Sequence, residues 1–206
     1  MYTFIINKFI EEVYNKNLEI HGFTHSGVFW NSKYNQFKRY EELMSYVPKS
    51  ANKISIMDVG CGYGALYEYL KEIKQNQRFY YFGIDINKKL IKQCKITYPE
   101  IDFDHKPKKG VKVDYILFSG TYNLAVTDNM LVWENYILND LYNYSKFCNK
   151  IILLNLQFSD KCKVVNNIYY TTTNRISQLL DKKFKNYKIV NSKYFSKDII
   201  IQIFLD

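Results

Sequence analysis

Residues 54–70 read ISIMDVGCGYGALYEYL. An apolar run, Ile54 to Met57, ends in Asp58. Glycines follow at alternate positions, Gly60, Gly62 and Gly64, and then Ala65, Leu66, Tyr69 and Leu70 repeat at helical spacing. A buried strand that runs through crowded glycines into a helix marks a place where the backbone passes close to a ligand. The run Gly60-x-Gly62-x-x-Ala65 also satisfies the alanine-ended dinucleotide fingerprint. The loop alone therefore leaves open a hydride carrier or another adenosine-bearing cofactor.

Outward from this stretch, strand and helix alternate. The spacing predicts strands at 54–58, 79–84, 101–104, 113–118 and 150–156, with helices at 64–75, 87–97, 130–147 and 172–184. Upstream, helices at 3–16 and 33–46 flank an irregular segment at 18–32, and Pro48 ends the second helix. Such alternation implies a parallel sheet covered on both faces. The last two strands, 187–195 and 198–206, are separated by too few residues for a parallel return, so they pair antiparallel. The predicted fold is α/β: a doubly wound, mostly parallel, seven-stranded sheet with an antiparallel last strand, plus N-terminal helices. It forms one domain over 1–206, with 1–48 as a helical leader or lid and 49–206 as the core.

Composition narrows the class. The 206 residues are enough for one real core. No apolar run approaches the ~20 residues of a membrane span, and the first residues, with Glu11 and Glu12 on an amphipathic pattern, do not read as a secretory signal. Cys61, Cys94, Cys148 and Cys162 form no C-x-x-C pair, which predicts reduced thiols in a cytoplasm and no metal site. The net charge of +9 invites a nucleic-acid reading, but only Arg39, Arg78 and Arg175 among the 29 basic residues are arginines. The lysines are spread thinly and read as a solvated surface, so nucleic acid stays a less favoured partner.

The motifs carry a resemblance. Residues 54–206 resemble the catalytic core of the class I methyltransferases that use S-adenosylmethionine. The first motif is Asp58-x-Gly60-x-Gly62-x-Gly64, with an acidic residue two places before the first glycine. The second is Tyr81-Phe82-Gly83-Ile84-Asp85-Ile86, whose Asp85 stands about 20 residues beyond the glycines, where a carboxylate accepts ribose hydroxyls. The segment from Asp114 to Gly120 resembles the fourth motif. Upstream, His21, Gly22, Gly27, Trp30, Ser32, Gln36, Arg39 and Tyr40 are similar to a leader in a group of bacterial methyltransferases that also carries Ser119, Gly120 and Asn123. That resemblance implies S-adenosylmethionine as cofactor. It implies Asp58 at the cofactor's ammonium, Asp85 at its ribose, Ile86 at its adenine, and Gly60, Cys61, Gly62, Gly64 and Ser119 along its length.

Each candidate has a competing structural role. Arg39, with Gln36 one turn earlier, is expected either to clamp the cofactor's carboxylate or to form a surface pair with Glu42. Trp30 and Tyr34 are expected over the sulfonium, where an aromatic face attracts a cation, or Trp30 simply anchors the leader. His21 or His25 is a candidate general base or a structural histidine. Tyr122 is a candidate for catalysis and, with Asn123, for substrate contact. No proline follows strand four in Ser119-Gly120-Thr121-Tyr122 and no Pro-Cys dipeptide occurs, which disfavours methylation of nucleic-acid bases. The expected activity is methylation of a small molecule, such as a metabolite or surface-polysaccharide precursor, at oxygen in preference to nitrogen. RNA methylation on the same fold, a non-catalytic adenosine-binding scaffold and a nicotinamide oxidoreductase remain as alternatives.

Overall fold

The computed structural model describes residues 2–205, so the predicted domain limits at 1 and 206 lie outside the described residues. Helices α1 (Tyr2–His21) and α2 (Lys33–Met44) precede β1 (Ile54–Val59), α3 (Ala65–Glu72), β2 (Phe79–Ile84), α4 (Lys88–Thr97) and β3 (Asp102–Asp104). Then come β4 (Val113–Phe118), α5 (Met130–Ser145), β5 (Cys148–Phe158), β6 (Lys163–Val165), β7 (Ile168–Thr171), α6 (Thr173–Leu180), β8 (Tyr187–Asn191) and β9 (Asp198–Phe204). Helix ends follow local chemistry. Ser32, Asn87, Asn129 and Thr172 each cap a helix by accepting a backbone N–H from its first turn.

Strands β3, β2, β1, β4 and β5 are parallel neighbours in that order. β9 runs antiparallel along β5 from Ile151 to Gln157, and β8 pairs antiparallel with β9. This is the expected mostly parallel sheet with an antiparallel finish, but it has nine strands where seven were expected. The extra two form the hairpin β6–β7. Its two-residue turn is Asn166-Asn167, both at positive φ (51° and 61°), a geometry that asparagine tolerates and that matches strand twist. β7 then pairs parallel with the far end of β5, at Gln157 and Phe158.

One sheet face buries Ile56, Leu117, Leu153 and Ile200 under α2, α3 and α4. The other buries Met57, Ile84, Ile116 and Ile152 under α1, α5 and α6. The link from β3 to β4, residues 105–112, contains no helix. Ile6 and Ile10 of α1 instead pack into the cluster that holds Met57 and Ile84, so the first helix covers a face that a crossover helix would otherwise take. The chain order reverses between β1 and β4, which opens a crevice at the strands' carboxyl ends.

Candidate active site

A cavity of about 490 Å³ fills that crevice. It is within the size range of small-ligand sites. Its floor is the turn after β1. Gly60 and Cys61 donate their N–H groups to Ile84 O at 2.7 and 3.0 Å, and Gly62 N–H donates to Asp85 Oδ2 at 2.9 Å. Gly60, Gly62 and Gly64 all have positive φ (76°, 58° and 87°). A Cβ on Gly60 would lie 2.8 Å from Thr121, and one on Gly64 would lie 3.0 Å from Tyr98. The glycines thus serve the turn and its packing, and not ligand approach alone. Gly60, Cys61 and Gly62 line the cavity; Gly64, expected at the cofactor, caps α3 and faces Tyr98 and Phe103 instead.

Asp85 and Ile86 line the cavity from the end of β2. Asp85 Oδ1 accepts from Asn87 N at 2.8 Å and Oδ2 from Gly62 N, one bond to each oxygen, so each keeps acceptor capacity. Burial pushes its carboxyl up to about 6, against the pull of those two N–H groups. Asp85 therefore does not cap α4; Asn87 does. Asp58 is displaced from its expected place. It is 2% exposed, is not part of the cavity wall, and accepts from Tyr81 OH at 2.6 Å. Burial pushes it up to about 7, outweighing the Tyr81 bond.

The leader supplies a second wall. Gln36 donates to Tyr40 OH and accepts from Tyr63 OH, both at 3.0 Å. Arg39 does not pair with Glu42. Its Nε and Nη2 grip Asp198 at 2.6 and 3.2 Å, and its Cζ lies 3.8 Å from the Phe195 ring centroid and 5.0 Å from that of Trp30. The arginine lines the cavity with its charge already matched. Glu42 is buried and accepts from Ser192 Oγ and Lys193 N. Trp30 lines the cavity and packs on Gly120, where a Cβ would come within 2.6 Å of the indole. Tyr34 is 69% exposed and is not part of the wall.

The proposed acid–base residues fall elsewhere. His21 is exposed at the end of α1, and neither it nor His25 lines the cavity. Tyr122 is 1% exposed, stacks on Phe118 and donates to Asp140 Oδ2 at 2.9 Å, and it is not part of the cavity wall. Its neighbour Asn123 does line the cavity, with Oδ1 accepting from Gln157 N at 3.1 Å. Ser119 lines it too, and its Oγ is the one buried side-chain polar atom without a partner among the described residues. Among the described residues no group of three or more His, Cys, Asp or Glu is placed to hold a metal ion.

Four sets of wall residues escaped the sequence reading. α1 presents Asn7, Ile10 and Tyr14. α5 presents Tyr136, Asp140 and Tyr144, one turn apart on one face. The hairpin presents Ile168 and Tyr170 beside Gln157 of β5. His105 and Lys106, just after β3, also line the cavity, and His105 Nδ1 lies 2.7 Å from Asp104 Oδ1. The Asn166-Asn167 pair between two β-rich triplets was the available signal for the hairpin. Nothing local marked the helical residues, whose wall role depends on which helices meet.

No protein-family model matches the chain. It is 24% identical over 143 residues to a provisionally named methyltransferase of Mycobacterium tuberculosis, Rv1506c, covering 67% of this chain and 85% of that one. It is also 24% identical over 181 residues to a provisionally named methyltransferase of Invertebrate iridescent virus 6, 235L. That match covers 75% of this chain and 65% of the viral protein, so the chain spans less than two thirds of that relative. Among solved structures, a SAM-dependent methyltransferase from Leishmania major superposes with a TM-score of 0.67 at 12% identity, over 93% of this chain and 82% of that one. The plantazolicin methyltransferase BpumL, solved with S-adenosylhomocysteine, gives 0.59 at 15% identity, over 84% and 85%. The fold is that of the class I methyltransferases.

Proposed function

We propose that the chain is an S-adenosylmethionine-dependent methyltransferase that acts on a small molecule. The observation that carries this is the state of the turn after β1. The N–H groups of Gly60, Cys61 and Gly62 are all committed inward, to Ile84 O and Asp85. A dinucleotide pyrophosphate needs such amides free, so the turn suits a ligand without phosphates. Asp85 keeps acceptor capacity for a ribose diol, and apolar Ile86 stands next to it for a base. The methyltransferase names of the relatives support the same reading.

The bound cofactor supplies a methyl group already activated on a sulfonium. The protein's task is to align an acceptor with it and exclude water. Asp85 anchors the ribose. Gln36 retains one amide hydrogen for the amino-acid end, beside an Arg39 neutralised by Asp198. Trp30, Ser119, Gly120, Thr121 and Asn123 wall the transfer point, and the acceptor enters past Asn123, Gln157 and Tyr170. With His21 and His25 outside the wall, neither candidate base lines the cavity; we retain the small-molecule acceptor and leave the attacked atom open. The structural neighbours include an amino pentose methyltransferase, whose name gives a sugar as the substrate class. The four free cysteines agree with a cytoplasmic setting, and no helix among the described residues is long and apolar enough to cross a membrane.

Thermal unfolding with added ligand tests the assignment. S-adenosylhomocysteine at 100 times its dissociation constant should add about 2.7 kcal/mol of stability, and NAD none. Asp85→Ala should abolish the shift while keeping native circular dichroism. A shift with NAD alone would overturn the assignment.

A further inference from the structure

The segment that joins β3 to β4 is basic. His105-Lys106-Pro107-Lys108-Lys109-Gly110-Val111-Lys112 holds four lysines and no acid, and all four lysines are exposed. Lys108 pairs with Asp102, whereas Lys106, Lys109 and Lys112 have no ion pair among the described residues. That concentration departs from the thin spread expected of the lysines. Pro107 and Val111 border a small gap over Met57, Phe82 and Ile84. Ile6 of α1 packs into the cluster that holds Met57 and Ile84, and Lys106 lines the main cavity together with Asn7 and Ile10. The basic segment and the first half of α1 therefore lie side by side on one face of the molecule.

The side of α1 turned away from the core is apolar over its first turns. Phe4, Ile5 and Phe9 are 66%, 44% and 53% exposed. Lys8 stands among them, with Nζ 5.4 Å from the Phe4 ring centroid. At helical spacing these four positions share one arc, opposite Ile6 and Ile10. Exposed Glu12, one turn beyond Phe9, ends the apolar stretch. Exposed apolar side chains with lysines beside them match the boundary of an anionic bilayer, where rings and aliphatic groups enter the headgroup layer and ammonium groups meet phosphates. A second copy of the chain would bring the lysines against one another. A nucleic acid would pair with the lysines but leave Phe4, Ile5 and Phe9 in water. We infer that this face rests on a membrane surface that contains anionic lipid, lying on the bilayer without spanning it. Because Lys106 also lines the cavity, the seated protein keeps that cavity close to the lipid. The inference is independent of the methyltransferase reading.

Flotation of the full chain with phosphatidylcholine vesicles, with and without phosphatidylserine, tests this at about 0.1 M salt, where the Debye length is about 10 Å. The chain should bind the phosphatidylserine vesicles about tenfold more tightly than the neutral ones. It should come off at about 1 M salt, where that length falls to about 3 Å. Phe4→Ser/Phe9→Ser and Lys109→Glu/Lys112→Glu should each weaken binding about tenfold, with melting temperature and S-adenosylhomocysteine binding unchanged. Lys71→Glu/Lys74→Glu makes the same charge change at the end of α3, on the opposite face of the sheet, and should have no effect. No binding, equal binding to both kinds of vesicle, or equal loss in the two lysine pairs overturns the inference. Two further results overturn it in favour of another occupant. One is preference for polyuridylate RNA over vesicles, with Phe4→Ser/Phe9→Ser unaffected. The other is a dimer in sedimentation that the same variant dissociates.

Discussion

At the scale of single residues, two carboxyls on adjacent strands have different surroundings. Asp85 faces the cavity with backbone N–H groups on both oxygens, whereas Asp58 lies behind it with only the Tyr81 hydroxyl. A carboxyl raised in the folded state binds more protons folded than unfolded, so its contribution to stability falls as pH rises between its two pKa values. For Asp58 that window runs from 3.8 to about 7. Asp58→Asn keeps an acceptor for Tyr81 and removes the buried charge. Urea unfolding should show the variant gaining on wild type as pH rises from 5 to 8, and an equal difference at both ends would refute the assignment. The resemblance placed Asp58 correctly beside the glycine turn. It could not reveal which way the carboxylate points, because that is set by Tyr81 on the neighbouring strand.

At the scale of elements, α2 is tied to the core by buried polar contacts. Arg39 and Glu42, one turn apart, reach Asp198, Ser192 Oγ and Lys193 N, so the helix is bound to the start of β9 and the turn before it. Asp198, 2% exposed, also accepts from Asn155 Nδ2 at 3.4 Å and Gln157 Nε2 at 2.8 Å, and Asn155 Oδ1 in turn accepts from Gly120 N at 2.9 Å. The network thereby joins α2, β9, β5 and the turn after β4. Asp198→Ala strands a buried guanidinium, and breaking a buried pair this way costs about 3–5 kcal/mol. Chemical denaturation should record that loss, with part recovered in Arg39→Met/Asp198→Leu, where no charge is left unpaired. A loss below about 1 kcal/mol would mean that water reaches the pair and screens it. Arg39 stood out in the sequence as a rare arginine, but its partner lies 159 positions away and no spacing rule reaches it.

At the scale of the whole molecule, α1 is part of both the core and the cavity. Ile6 packs with Met57 and Ile84, while Asn7, Ile10 and Tyr14 wall the ligand space. Ile6→Ala should cost about 2–5 kcal/mol, as buried large-to-small changes do, and should also weaken S-adenosylhomocysteine binding. Native affinity in a destabilised Ile6→Ala protein would separate the two roles. The sequence by itself determined the order of strands and helices, the parallel sheet with its antiparallel end, the glycine turn and the placement of Asp85. These follow from periodicity and from contacts close along the chain, which local residues dictate. Tertiary structure alone decided that α1 replaces a crossover helix, that Arg39 meets Asp198, that His21, His25 and Tyr122 lie outside the cavity wall, and that Asp140 lines it. Each of those depends on which distant surfaces pack together, and burial free energy summed over the whole chain selects that pairing without leaving a local mark.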